Sequence, residues 1–231
     1  MIDQDNVVIQ PRNAPDAAVI LMHGLGADGH DFVPIVAELD LPEAPSIRWV
    51  FPHAPVRPVT VNGGYRMRAW YDVIAMDPQA PEDETGIRES ARSVGSLIRA
   101  EREQGIPSDR ICLAGFSQGG AVALFTALRW SERLAGVAAL SCYLPLPTLL
   151  PAEAHPANTA VPVFMAHGTA DPVVPLQIGK AARDLLTAMG YDLAWHTYPM
   201  QHGVCPQEVG DLRKWLLGVL PGPASGPPSS R

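Results

Sequence analysis

The stretch LAGFSQGGAVAL, residues 113–124, sets a serine between glycines where an apolar run gives way to helix-compatible residues. Ahead of the serine stand Ile111, Cys112, Leu113 and Ala114, short and apolar, as a buried strand requires. Behind it, Gly119 through Phe125 and on to Arg129 are residues a helix accepts. Gly115-Phe116-Ser117-Gln118-Gly119 therefore fits a sharp strand-to-helix turn that lifts one hydroxyl out of the backbone. The glycines suit such a turn because a Cβ at either would crowd its neighbours. The pattern also arises by chance in unrelated chains, so a base and an acid must be found elsewhere before it signifies chemistry.

Outward from this turn, apolar runs alternate with amphipathic ones. Strands are expected over Val7–Gln10, Ala17–His23, Ile47–Pro52, Ile111–Gly115, Leu134–Ser141, Val161–His167 and Leu193–Tyr198. One helical stripe runs through Phe32, Ile35, Val36 and Leu39. A second runs through Ile87, Ala91, Val94, Leu97 and Ile98, with arginines on its far face and Gly105 to end it. Pro175 can open a third helix with Ile178, Ala182, Leu185 and Met189 inward, and Val209 to Val219 make the last. Strands alternating with helices argue for an α/β fold with a mostly parallel central sheet and helices on both faces. Residues 54–83 fit neither period and read as loop and irregular strand, where function often sits. Residues 221–231, PGPASGPPSSR, read as a flexible tail, which leaves 1–220 as one domain.

Composition excludes several classes. The chain has 231 residues, 47% hydrophobic and 18% charged, a soluble globular profile. A net charge of −7, with 15 arginines and 2 lysines scattered rather than striped, speaks against nucleic acid. Cys112, Cys142 and Cys205 cannot form a paired framework and read as small buried hydrophobes. The acidic start MIDQDNVVIQ lacks the basic region of a signal peptide, and the run Ala17–Met22 is too short to cross a bilayer. A cytoplasmic protein with no integral membrane association is expected.

A serine hydroxyl is a weak nucleophile until a base takes its proton, and that base needs an orienting acid. In this sheet architecture the expected chain order is Ser, then Asp or Glu, then His, each beyond a strand end. After the strand ending at His167 comes GTADPVVP, which places Asp171 in a turn. After the strand ending at Tyr198 comes PMQHGVCPQE, which places His202 in a loop before the final helix. Asp171 could instead shape its own turn, and His202 could be an ordinary surface histidine. The other histidines lie too early, inside a strand, or ahead of Asp171. No spacing resembles H-E-x-x-H, so neither metal nor cofactor is called for. Oxyanion donors are expected from the backbone N–H of Gln118 and of Leu25, the latter on the Gly-rich loop HGLGADGHDF, residues 23–32. That loop also matches the dinucleotide pattern G-x-G-x-x-G. A histidine begins it, however, and no acid ends a second strand near position 50 to hold a ribose.

Taken together, HGLGADGHDF, FPHAPVRPVTVNGGYRMRAWYD, GFSQGG, HGTADPVVP and His202-Gly203 resemble the phospholipase/carboxylesterase family of small α/β-hydrolases, over residues 7–220. The resemblance implies the α/β-hydrolase fold without a separate lid domain. It implies Ser117, Asp171 and His202 as triad, Leu25 and Gln118 as oxyanion donors, and residues 54–72, Trp70 among them, on the substrate side. The activity expected is carboxylic ester hydrolysis, with acyl-protein thioesterase or lysophospholipase activity as alternatives on the same residues. A non-catalytic binding protein is the remaining reading. The partner expected is a small acyl ester, a lipid-like molecule or an S-acylated protein, and a homodimer stays open. The segment SCYLPLPTLLPAEAHP, residues 141–156, leaves the strand after the serine's helix, rich in leucine yet broken by prolines. Leu146 is taken from it as a wall of an apolar acyl groove.

Overall fold

A computed structural model describes residues 6–42, 45–75 and 80–222. Among these the chain order is β1 (Val7–Ile9), β2 (Ala17–Met22), α1 (Ile35–Leu39), β3 (Ile47–Phe51), β4 (Val56–Val59) and β5 (Tyr65–Arg68). There follow α2 (Glu84–Glu103), β6 (Ile111–Phe116), α3 (Gln118–Arg129), β7 (Gly136–Leu140), α4 (Leu150–Glu153), β8 (Val163–Gly168), α5 (Leu176–Ala188), β9 (Leu193–Tyr198) and α6 (Pro206–Val219). Seven strands form one sheet in the order β1-β3-β2-β6-β7-β8-β9. β1 pairs antiparallel with β3, and every other pairing in this sheet is parallel. All seven expected strands are present, their ends within two residues of the expected ones.

Side-chain alternation divides the core into two layers. Ala18, Ile20 and Met22 of β2 face α2, α3 and α5, while Ala17, Val19 and Leu21 face α1 and α6. Because both faces are covered, the central strands read as continuous apolar runs rather than alternating ones. α2 starts where Asp83 caps it, its carboxylate accepting the Gly86 N–H at 2.9 Å, and its chain turns away at Gly105 with φ 95°.

Three details depart from the periodicity. α1 begins at Ile35, not Phe32, because residues 29–34 form turns ahead of Pro34. Residues 54–83 contain an antiparallel hairpin, β4 with β5, packed outside the main sheet. Residues 141–156 hold a one-turn helix, α4, despite their prolines, since Pro151 sits in its first turn where no N–H is missed. Glu153 of α4 is gripped between Arg88 of α2 and Arg129 of α3, which ties this segment to the body. The expected tail falls, beyond Gly222, outside the described residues. Parallel strands end on one edge, so β6, β8 and β9 deliver their following loops to the same place.

Candidate active site

Ser117 lies between β6 and α3 at φ 54° and ψ −121°, a conformation that L-residues rarely adopt. The turn is held from every side. Ser117 N–H donates to Leu140 C=O at 2.8 Å, and Ser117 C=O accepts the Ala121 N–H at 3.1 Å. A Cβ on Gly119 would lie 2.2 Å from the Met22 carbonyl oxygen, and one on Gly115 would lie 2.3 Å from the Gly119 carbonyl carbon. Only glycine lets β6, the start of α3 and the end of β2 approach this closely.

The structure brings the three expected side chains together. His202 Nε2 lies 3.0 Å from Ser117 Oγ, and His202 Nδ1 lies 2.7 Å from Asp171 Oδ2. Asp171 Oδ1 accepts the Val173 and Val174 N–H groups at 2.8 and 2.9 Å. Asp171 thus shapes its own turn with one oxygen and reaches the imidazole with the other. An ionised carboxylate only accepts, so His202 carries a proton on Nδ1 and turns an Nε2 lone pair to the serine. The Asp171 side chain is fully buried, that of His202 is 16% exposed, and the Phe116 ring packs 4.7 Å from the imidazole. His167, also buried, lies below the Asp171 turn with Nε2 2.7 Å from Val174 C=O. Burial pushes its basicity down, so it stays neutral and donates that bond.

Leu25 and Gln118 both line the cleft beside Ser117. On the 23–30 loop the Gly26 N–H donates to Arg68 C=O and the Ala27 N–H to Gly24 C=O, while the Leu25 N–H has no backbone acceptor among the described residues. Gln118 opens α3, so its N–H has no carbonyl four residues back within the helix. The Gln118 side chain is engaged on the other side. Its Oε1 accepts the Trp70 N–H and its Nε2 donates to Tyr71 C=O, both at 2.8 Å.

The cleft has a volume of about 360 Å³ and its walls are mainly apolar, with Tyr71, Leu144, Ile178 and Leu185 among them. Trp70 and Leu146, expected in that lining, do not belong to it. Trp70 is fully buried, its indole N–H donating to His23 C=O at 2.8 Å, so the ring is committed to the core. Leu146 takes φ 49°, its N–H donates to Glu82 Oε2 at 2.9 Å, and its side chain packs back on the core. The cleft is lined instead by their neighbours Tyr71 and Leu144, which periodicity could not single out in a Pro-broken loop. Tyr71 and Tyr143 share a 2.6 Å hydrogen bond between hydroxyls at the wall, and burial raises both above the ordinary phenol range. Burial also raises the Glu82 carboxyl.

One group of metal-type side chains gathers among the described residues: Asp28, His30 and His53, their ligand atoms within 4.8 Å of one another. His53 Nδ1 already accepts the Gly29 N–H, and Asp28 Oδ1 lies 3.1 Å from His30 Nδ1.

The model of the phospholipase/carboxylesterase family matches residues 3–219. Acyl-protein thioesterase 1 of Cryptococcus neoformans is 40% identical over 229 residues, covering 92% of this chain and 96% of its own. Acyl-protein thioesterase 1 of Neurospora crassa is 43% identical over 215 residues, covering 89% and 87%. The crystal structure of Zea mays acyl-protein thioesterase 2 matches with a TM-score of 0.83 at 31% identity, over 93% of this chain and 98% of its own.

Proposed function

The chain belongs to the phospholipase/carboxylesterase family, and from that premise we propose that it is a serine hydrolase releasing acids from carboxylic esters through an acyl-enzyme. The observation that carries the reading is the continuous run from Asp171 through His202 to Ser117, at 2.7 and 3.0 Å. His202 Nε2 takes the Ser117 proton as Oγ attacks the acyl carbonyl. Asp171 holds the imidazole tautomer and offsets the charge of the imidazolium. The Leu25 and Gln118 N–H groups receive the oxyanion, with the N-terminus of α3 adding its positive end. The imidazolium returns its proton to the departing alcohol. Water then repeats the sequence on the acyl-enzyme and frees the acid.

The second reading is thioester hydrolysis, favoured by the names of the 40% and 43% identical relatives. The same groups serve it, since a thiolate leaves more readily than an alkoxide and needs less help from the acid. A fluorophosphonate probe is expected to label Ser117 alone, by mass mapping, and Ser117→Ala is expected to abolish labelling. That variant should lose about 10⁴-fold or more in kcat while its melting curve is retained. Labelling at another residue would defeat the assignment. Matched p-nitrophenyl esters and acyl thioesters then separate the two readings by their kcat/KM ratio.

A further inference from the structure

β2 and β3 are parallel neighbours, with Ile20 opposite Val50, so the segments leaving them run side by side. His23 follows β2 and His53 follows β3. Each imidazole accepts a backbone N–H from the other's segment: Ala54 N–H donates to His23 Nε2, and Gly29 N–H to His53 Nδ1, both at 3.0 Å. A backbone N–H can only donate, so both accepting nitrogens are unprotonated. His23 therefore carries its hydrogen on Nδ1, where Gly24 C=O accepts it at 2.7 Å. The two rings are 1% and 5% exposed, and burial lowers the basicity of His23, which preserves its neutral form. Gly29 is required for the second bond, because a Cβ there would lie 2.6 Å from Phe51 C=O and 3.2 Å from His53 Cε1. Leu25 stands between the two clamped points.

We propose that His23 and His53 are positioning residues, a reciprocal pair of imidazole clamps that holds the Leu25 N–H where the oxyanion develops. The inference rests on the esterase reading above, since it requires Leu25 to face the reacting carbonyl. Without the clamps the Ala54 and Gly29 N–H groups lose their buried acceptors, and the 23–29 loop, no longer tied to the segment after β3, turns the Gly29 N–H toward water. The Leu25 N–H moves with that loop. An oxyanion exists only in the transition state and the intermediates, so the loss falls on kcat and spares KM.

The test compares His53→Leu, His53→Asn and His53→Gln with the wild type on p-nitrophenyl butyrate, with folding followed by thermal melting. Asn places its Oδ1 near the site of the imidazole Nδ1, whereas Gln carries its acceptor one bond farther out. Folded His53→Leu is expected to lose roughly 10–10²-fold in kcat with KM within about twofold. Its affinity for an alkylboronic acid, a tetrahedral mimic, should weaken in step. His53→Asn should recover most of the loss and His53→Gln should not. His23→Gln, with Oε1 in place of Nε2, should likewise outperform His23→Leu. Should the leucine variants fail to fold, the Asn-against-Gln contrast at position 53 decides alone. Unchanged kcat in His53→Leu, a loss confined to KM, or equal rates for Asn and Gln overturns the inference while leaving Ser117 labelling intact. Absence of Ser117 labelling in the wild type removes the esterase reading itself, and this inference falls with it.

Discussion

Gln118 joins two jobs in one residue. Its backbone N–H opens α3 beside the serine, while its side-chain oxygen and nitrogen tie down the backbone at Trp70 and Tyr71. At 4% exposure those bonds have no water to replace them. Gln118→Leu keeps the backbone N–H but strands a buried donor and a buried acceptor, each costing about 1–3 kcal/mol. We expect urea unfolding to show a loss in that range or somewhat above it, with a lower kcat because the loop bearing Tyr71 shifts. A variant as stable as the wild type would mean that the cleft wall does not depend on this side chain. The place of Gln118, first in α3 and just after the serine, was readable from G-x-S-x-G. The tie from the side chain was not, because its partners lie 47 and 48 residues away.

At the scale of elements, α5 and α6 carry separable consequences. α5 turns Ile178, Ala181, Ala182 and Leu185 toward the cleft. Ala181→Phe should fill part of that volume, so kcat/KM on p-nitrophenyl decanoate should fall at least tenfold while the acetate ester is nearly unaffected. Equal losses on both esters would place Ala181 outside the acyl path. α6 begins with a buried acid. Glu208 is fully buried, neither carboxylate oxygen reaches a partner in hydrogen-bonding geometry, and burial pushes its pKa up to about 8. The nearby Cys205 N–H and the helix N-terminus both favour the charge, and desolvation outweighs them. The folded chain keeps a proton here that the unfolded chain releases above its ordinary value of 4.5. Stability from this group is therefore present below about pH 4.5 and is lost as pH rises through about 8. Glu208→Gln should match the wild-type melting temperature at pH 4.5 and exceed it at pH 8.5. The opposite order would mean that the carboxylate is ionised and useful. The stripe of α6 was plain in the sequence, but an acid at its edge looks exposed until β9 and α6 close over it.

At the scale of the whole molecule, the sheet is what makes the site. β6, β8 and β9 come from distant parts of the chain, and their parallel pairing sets Ser117, Asp171 and His202 on one edge. Phe164 of β8 is fully buried in the second layer, against His196 at 5.1 Å and Trp215 at 5.7 Å. Phe164→Ala should cost about 3–5 kcal/mol in urea unfolding, as a cavity that this packed layer cannot collapse. Activity per folded molecule should change little, because the strand register is held by β7 and β9. A large loss of kcat in the folded variant would show that the layer tunes the site directly.

What the sequence by itself determined is whatever local chemistry enforces. Seven expected runs became the seven strands, and β2, β6, β7 and β8 at the centre were the plainest, because a strand buried on both faces has no polar alternation to obscure it. Ser117, Asp171 and His202 stood out because each lies just beyond such a run, in the order that a parallel sheet can gather. Only the tertiary structure decided the rest. It turned Trp70 inward and gave the cleft to Tyr71, and it folded Leu146 back on the core and left Leu144 at the wall. It also paired His23 and His53 across two strand ends. These outcomes depend on which buried donor meets which acceptor across gaps of tens of residues, and no local period records that.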